Sequence, residues 1–258
     1  MNQSEKRLFL IQTLLSERPS CKKQEIPADS ARQKVLLRGL MNVRSPRPID
    51  TEFLKVQDAY LQEETAGKGI TDIDSLKPLQ PGLYLWQGDI TTLRCDAIVN
   101  AANSGMTGCY VPNHRCIDNA IHTYAGVELR LACEELMEAQ GYPEPTGRAK
   151  ITPGFNLPSR YVLHTVGPII YGTVTPQDKA LLASCYKSCL ELAAEQNLES
   201  VAFCCISTGE FHFPNELAAE IAVKTAKEFL NKQTSVKRVI FNVFKDTDRE
   251  IYQRLLLH

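Results

Sequence analysis

This chain has no surplus of either charge: 29 Lys and Arg stand against 30 Asp and Glu, a formal net charge of −1. Electrostatics therefore give no reason to expect nucleic acid as the main partner. No apolar run approaches the ~18 residues of a membrane span, so no membrane is expected either. The first residues lead into an amphipathic pattern carrying Arg7, Gln12, Glu17 and Arg18. A secretory leader has an unbroken apolar stretch instead. There is no internal repeat and no low-complexity segment, which leaves out repeat arrays and disordered tails. Tryptophan occurs once, as Trp86, and is assigned to the core. Cysteine, by contrast, occurs nine times. An odd, scattered set argues against a disulfide framework and for reduced thiols, hence a cytoplasmic protein. Cys133, Cys185, Cys189, Cys204 and Cys205 sit in apolar settings and read as small buried hydrophobes.

With 258 residues the chain can bury one large core or two smaller ones. The first eighty residues have helical texture. Leu8, Ile11, Leu14 and Leu15 recur at helical spacing, as do Val35, Leu36, Leu40 and Met41, and then Phe53, Leu54, Val56, Tyr60 and Leu61. Asp29-Ser30 reads as the cap of the second helix, and Asp50-Thr51-Glu52 puts acid at the start of the third. Residues 1–80 are thus expected to form a small N-terminal helical region, with Thr71 to Gly82 as linker and 81–258 as the main domain.

From Leu83 onward strands and helices alternate. Strands are predicted at 83–86, 97–99, 149–151, 161–166, 201–206 and 239–243. Helices are predicted from about Ile117, then at 127–140, 181–196, 216–230 and 246–257. Val201–Ile206 is continuously apolar, as a strand covered on both faces should be. The alternation implies an α/β fold, a three-layer sandwich around a mixed, mainly parallel sheet.

Residues 100–118 carry three amides, two thiols, an imidazole and a carboxylate between a strand and a helix. That is where α/β proteins place ligands. Zinc takes thiolate and imidazole, and a catalytic zinc keeps three protein ligands and one open position. Cys109-x4-His114-x-Cys116 offers such a set, with Pro112 able to turn Cys109 back on the others. The expectation is one zinc per chain. A distant fourth ligand such as His122 or His212, a purely structural zinc, or two incidental thiols beside a surface histidine are the alternatives. Asp118 near the helix start is favoured in its charged form by the helix dipole. It can orient or deprotonate a water, or simply begin the helix. Asn119 is a phosphate or helix-start contact, and His122 a core or supporting residue.

Ser207-Thr208-Gly209-Glu210-Phe211 follows the apolar strand. A diphosphate needs converging backbone N–H groups, which such a loop supplies. Gly209 permits close approach or a positive φ. An ordinary strand-to-helix connection is the plainer reading, with Pro214 and Asn215 starting the helix. Glu210 is unusual beside phosphate and is expected to point toward the metal or an incoming protein. Asp89, before Ile90-Thr91, can accept from an exocyclic amine or cap a turn. His164 reads as half-buried, and Lys224, Lys227 and Lys232 as a solvated face.

Taken in order, Gly88-Asp89-Ile90-Thr91, Val99-Asn-Ala-Ala-Asn103, Ile117-Asp-Asn-Ala-Ile-His122 and Ile206-Ser-Thr-Gly209 resemble the macrodomain family of ADP-ribose-binding proteins. The resemblance spans roughly Leu83 to His258. Many macrodomains carry a glycine-rich run after the Asn-Ala-Ala-Asn motif. Here Gly108–Asp118 replaces it, and the chain resembles the zinc-containing microbial branch, which often has an N-terminal helical extension and removes ADP-ribose from modified proteins.

The resemblance implies a macrodomain sandwich with Asp89 and the Ile90 amide at adenine. Ser207, Thr208, Gly209, Glu210 and Phe211 would lie around the diphosphate, Phe211 also packing on the distal ribose. Asn103 would face the distal ribose, while Asn100 is structural. Ile117, Asp118 and Asn119 would line the same pocket, with Asp118 and Asn103 serving the chemistry. Zinc would polarise a ribose or ester oxygen, or activate water. The implied activity is removal of mono-ADP-ribose from Asp- or Glu-modified proteins. Its rivals are a non-catalytic ADP-ribose reader and a hydrolase of a small derivative such as O-acetyl-ADP-ribose. The N-terminal helices would shape access, dock the modified protein, or act as a stabilising cap. Oligomeric state is not readable.

Overall fold

A computed structural model describes residues 1–18 and 25–257; His258, the last residue of the expected main domain, lies outside them. The N-terminal region holds three helices, α1 (Gln3–Ser16), α2 (Ser30–Asn42) and α3 (Thr51–Lys68). Each start is capped locally. Asn2 and Glu5 form a capping box, Asp29 accepts from the Arg32 amide, and Asp50 accepts from the Phe53 amide. Leu10, Ile11, Leu14, Leu37, Leu40, Phe53 and Tyr60 bury against one another in a cluster of their own. Val35, expected on the inner face of α2, is 57% exposed. The buried stripe runs instead through Gln33, Leu37, Leu40 and Met41. Gln33 can occupy that face because it accepts from Arg7 and donates to the Pro27 carbonyl.

The segment expected as a linker is pinned to the body. β1 (Thr71–Asp72) pairs in parallel with β3 (Leu93–Arg94), and Ile73 joins the main core. The central sheet comprises β2 (Leu83–Gln87), β4 (Ala97–Ala102), β5 (Ala149–Pro153), β6 (Tyr161–Val166), β7 (Ser200–Phe203) and β8 (Arg238–Val243). Its order is β2-β8-β7-β4-β6-β5, parallel throughout except for the antiparallel edge strand β5. The remaining helices are α4 (Ile117–Ala125), α5 (Val127–Gln140), α6 (Pro176–Glu195), α7 (Asn215–Leu230) and α8 (Asp246–Leu257). α6, α7 and α8 pack side by side, as do α4 and α5, giving the three-layer α/β/α sandwich. α2 and α3 pack on α4.

Several boundaries differ from those expected. α6 begins at Pro176 because proline suits the first helical position and Thr175 with Asp178 forms a capping box. β4 continues through Ala102, which puts Asn100 inside the strand. β7 stops at Phe203, so Cys204–Ile206 already belong to the turn. Trp86 is only half-buried; its ring lies over Gly88, where an added Cβ would sit 2.4 Å from Cζ2. His164 is fully buried, because β6 is covered on both faces. The eight described cysteines are all free. Among the described residues no helix is long and apolar enough to cross a membrane.

Because β2, β8, β7 and β4 run parallel, their carboxyl ends open on one edge of the sheet. Asp89, Phe244, the Ser207 loop and Asn103 follow those ends, which gathers them along that edge.

Candidate ligand and metal site

At one end of this edge stands Asp89. Its Oδ1 accepts from the Thr91 amide and hydroxyl at 3.0 and 2.6 Å, and its Oδ2 from Lys68 Nζ at 2.9 Å. Burial pushes the carboxyl's pKa up, but the Thr91 and Lys68 contacts outweigh it and hold the group below the usual carboxylate range. Asp89 thus caps the turn at Ile90–Thr92 while keeping a half-exposed face. Lys68 comes from the last turn of α3 and also sits 3.3 Å from the ring centroid of Tyr124. The Ile90 side chain is buried. Phe244, which no sequence motif singles out, follows β8 and is 77% exposed. Its carbonyl accepts from Gln87 Nε2, which ties it to the strand preceding Asp89. The available signal was an aromatic residue directly after the last strand.

At the other end lies Asp118, in the first turn of α4 and 5% exposed. Asn100 Nδ2 donates to its Oδ1 at 2.8 Å, and the exposed Asn103 reaches Oδ2 at 3.4 Å. Asn103 also donates to the Gly108 carbonyl. Burial pushes the Asp118 carboxyl up to about 6, against the opposing effects of the Asn100 bond and the Arg130 charge. His122, one turn on, is buried and held neutral, and its Nε2 lies 3.5 Å from Asp118 Oδ1. Asn119 has no exposed surface. Its amide oxygen accepts from Arg38 and its Nδ2 donates to the Val111 carbonyl, so it is a helix-start contact with no side-chain atom left for a phosphate. The neighbouring Ile117 is half-buried against the main core.

Cys109, His114 and Cys116 converge. Their donor atoms all lie within 4.8 Å of one another, with Cys109 Sγ 3.7 Å from His114 Nδ1. Zinc bonds of about 2.0–2.3 Å in a tetrahedron need donors roughly 3.3–3.8 Å apart. The two thiols and imidazole therefore fit zinc after a small contraction. Among the described residues no fourth His, Cys, Asp or Glu donor joins them, so neither His122 nor His212 does. Cys116 also caps α4, its Sγ accepting from the Asn119 amide, and burial pushes its thiol up to about 12. A second group, His122, Cys133 and His164, is equally close-set. There His164 already uses both ring nitrogens, on Asn100 and Thr152, so the group reads as a packed polar core.

The loop after β7 turns sharply. Ser207 has φ +65° and His212 φ +57°. Gly209 is not in the left-handed region, and a Cβ there would meet nothing within 4 Å, so neither the backbone nor a protein neighbour demands glycine at this position. Thr208 folds its hydroxyl back to the Cys205 carbonyl. Gly167 lies beneath the turn, where a Cβ would sit 2.0 Å from Ser207 Oγ and displace that side chain. Among the described residues the amides of Gly209, Glu210 and Phe211 donate to no protein group. Phe211 is half-buried and its carbonyl accepts from the Ile170 amide. Glu210 points away from these amides, its Oε1 lying 3.8 Å from His114 Nε2. The glycine loop and the thiol–imidazole loop therefore meet side by side.

A family model described as Macro domain matches residues 99–222. A protein-ADP-ribose hydrolase of Treponema medium is 56% identical over 260 residues, which cover 99% of this chain and 100% of that one. The chain belongs to the macrodomain family. Among solved macrodomains, a mutant of the Oceanobacillus iheyensis macrodomain with ADPR is 40% identical at a TM-score of 0.63, over 70% of this chain and 95% of that one. A Trypanosoma brucei macrodomain in complex with ADP-ribose is 29% identical at a TM-score of 0.65, over 85% of this chain and 94% of that one. In this macrodomain the matched segment begins inside β4 and leaves Lys68, Asp89 and Arg38 outside it.

Proposed function

We propose that this chain is a zinc-dependent hydrolase that removes mono-ADP-ribose from Asp or Glu side chains of modified proteins. The observation that carries the reading is the join between the two loops. His114 of the metal-competent trio lies 3.8 Å from Glu210, within the loop whose free amides suit a diphosphate. A pure reader of ADP-ribose has no need of that trio. The name of the Treponema medium relative and the ADP-ribose complex of the Trypanosoma brucei macrodomain support the substrate class.

In this reading adenine rests between the free face of Asp89 and the Phe244 ring, which offers a stacking platform. The amides of Gly209, Glu210 and Phe211 hold the diphosphate, and Thr208 shapes their turn. Asn103 presents its amide oxygen, which also accepts from the Gly105 amide, to a hydroxyl of the distal ribose, with Phe211 against that sugar. Cys109, His114 and Cys116 would hold the zinc, which when bound supplies Lewis-acid polarisation of an oxygen at the distal ribose. Asp118, aimed by Asn100, orients the attacking water and takes up its proton. Residues 1–80 act as the extension and 81–258 as the macrodomain proper, working in the cytoplasm.

The test is incubation of the purified chain with a protein mono-ADP-ribosylated on Asp or Glu, and separately with O-acetyl-ADP-ribose, in ¹⁸O water. Release of ADP-ribose from the protein supports the reading. The label's position, on ribose or on the freed carboxylate, then tells which C–O bond breaks. Turnover of the small ester alone replaces the proposed substrate, and tight ADP-ribose binding with no release from either makes the chain a reader.

A further inference from the structure

The loop carrying Cys109, His114 and Cys116 is irregular, and its geometry has to be imposed from outside. Helix α2 does so at two points. Arg38 Nη2 donates to the His114 carbonyl at 3.0 Å and to Asn119 Oδ1 at 2.8 Å. Asn119 in turn sends its backbone amide to Cys116 Sγ. One guanidinium is thus bonded directly at one donor residue and, through the side chain and backbone amide of a single buried residue, at another. One turn on, Asn42 Oδ1 accepts from the Asn113 amide at 2.9 Å and its Nδ2 donates to Thr123 of α4 at 3.0 Å. Asn113 sits at φ +56°, a left-handed conformation that asparagine tolerates and that this bond helps to fix. The end of α2 is itself fixed by buried Arg130, which donates to the Met41, Asn42 and Arg44 carbonyls and, across the gap, to the Thr107 carbonyl.

We propose that α2 is a positioning scaffold for the metal loop. Arg38 and Asn42 fix the backbone on either side of the His114 turn and so set the spacing of the three donor atoms. The proposal rests on the zinc reading above, and it makes the N-terminal helices part of the site rather than a cap or a docking arm alone. A three-ligand site on an irregular loop gains affinity when the loop is already ordered, and neighbours that orient metal ligands are worth about 10–100-fold in affinity.

The experiment uses the full chain and the variants Arg38→Met, Arg38→Lys, Asn42→Ala and Lys34→Ala. Lys34 also lies on α2 but pairs with Glu64 of α3, away from the loop. Zinc affinity is measured by chelator competition, with the absorption spectrum of the cobalt-loaded protein and the thermal midpoint alongside. Arg38→Met and Asn42→Ala should each weaken zinc by about 10–100-fold and shift the cobalt bands. Arg38→Lys should recover part of the loss, and Lys34→Ala should leave affinity and spectrum at wild-type values. Wild-type affinity and spectrum in both loop-contact variants overturn the proposal, as does an equal loss in Lys34→Ala. If Arg38→Met does not fold, Asn42→Ala carries the test. A wild type that takes up no zinc instead overturns the zinc reading itself.

Discussion

Asn100 divides its two amide hydrogens between Asp118 Oδ1 at 2.8 Å and His164 Nδ1 at 3.2 Å. That assigns the imidazole proton to Nε2, where Thr152 Oγ1 accepts it at 2.9 Å. A buried chain, Thr152–His164–Asn100–Asp118, therefore aims one carboxylate at the open edge of the sheet.

Asn100→Ala should leave Asp118 with only the long contacts from Asn103 and His122. Turnover on the modified protein is expected to fall by about 10–100-fold, an effect on the scale of orienting a general base. The affinity for ADP-ribose should hardly change, because Asn100 itself is buried. Stability should drop by about 1–3 kcal/mol for the unpaired partners left behind. Single-turnover release beside calorimetric titration of ADP-ribose checks this. Unaltered turnover in a folded variant would remove Asp118 orientation from the mechanism.

Gly209→Val separates binding from folding. A side chain there meets no protein atom and the backbone is not left-handed, so the thermal midpoint should stay within a degree or two. The same side chain would stand where a diphosphate must approach the loop amides, so ADP-ribose affinity should fall by at least about tenfold, or 1.4 kcal/mol. Equal affinity would move the diphosphate away from this loop.

His164 links the fold to acid. Burial holds its pKa down at about 3, below the ordinary value of 6.5. The folded chain thus resists a proton that the unfolded chain accepts. The stability this represents is present above about pH 6.5 and is lost as the pH falls toward 3, by up to about 1.4 kcal/mol per pH unit. Asp118, held up at about 6, works in the opposite direction over part of that range. The comparison of wild type with His164→Gln isolates the histidine. In denaturant titrations from pH 7 to pH 4 the variant should lose stability less steeply, and parallel curves would exclude the effect.

What could be read without the structure was local. Asp29 and Asp50 announce helices because a cap acts within four residues. The thiol–imidazole trio fits in eight residues, so its convergence follows from a single turn at Pro112. What escaped was long-range. Arg38 reaches Asn119 across 81 positions and Lys68 reaches Asp89 from another helix, and neither contact leaves a mark on local periodicity. Asn119 looked free because its position at a helix start suits a phosphate as well as a neighbour. α6 began earlier than expected because Pro176 reads as punctuation until Thr175 and Asp178 are seen to cap it.

The most direct test of a metal-dependent hydrolase is Cys116→Ser, since serine keeps the cap on α4 yet is a poor zinc ligand. Bound zinc, ADP-ribose affinity and release from an Asp- or Glu-modified protein are measured on the variant and the wild type. The wild type should carry about one zinc and release steadily, while the folded variant binds ADP-ribose but has lost both metal and turnover. Release at the wild-type rate from a zinc-free variant, or none from a wild type loaded with zinc, would contradict metal-dependent hydrolysis.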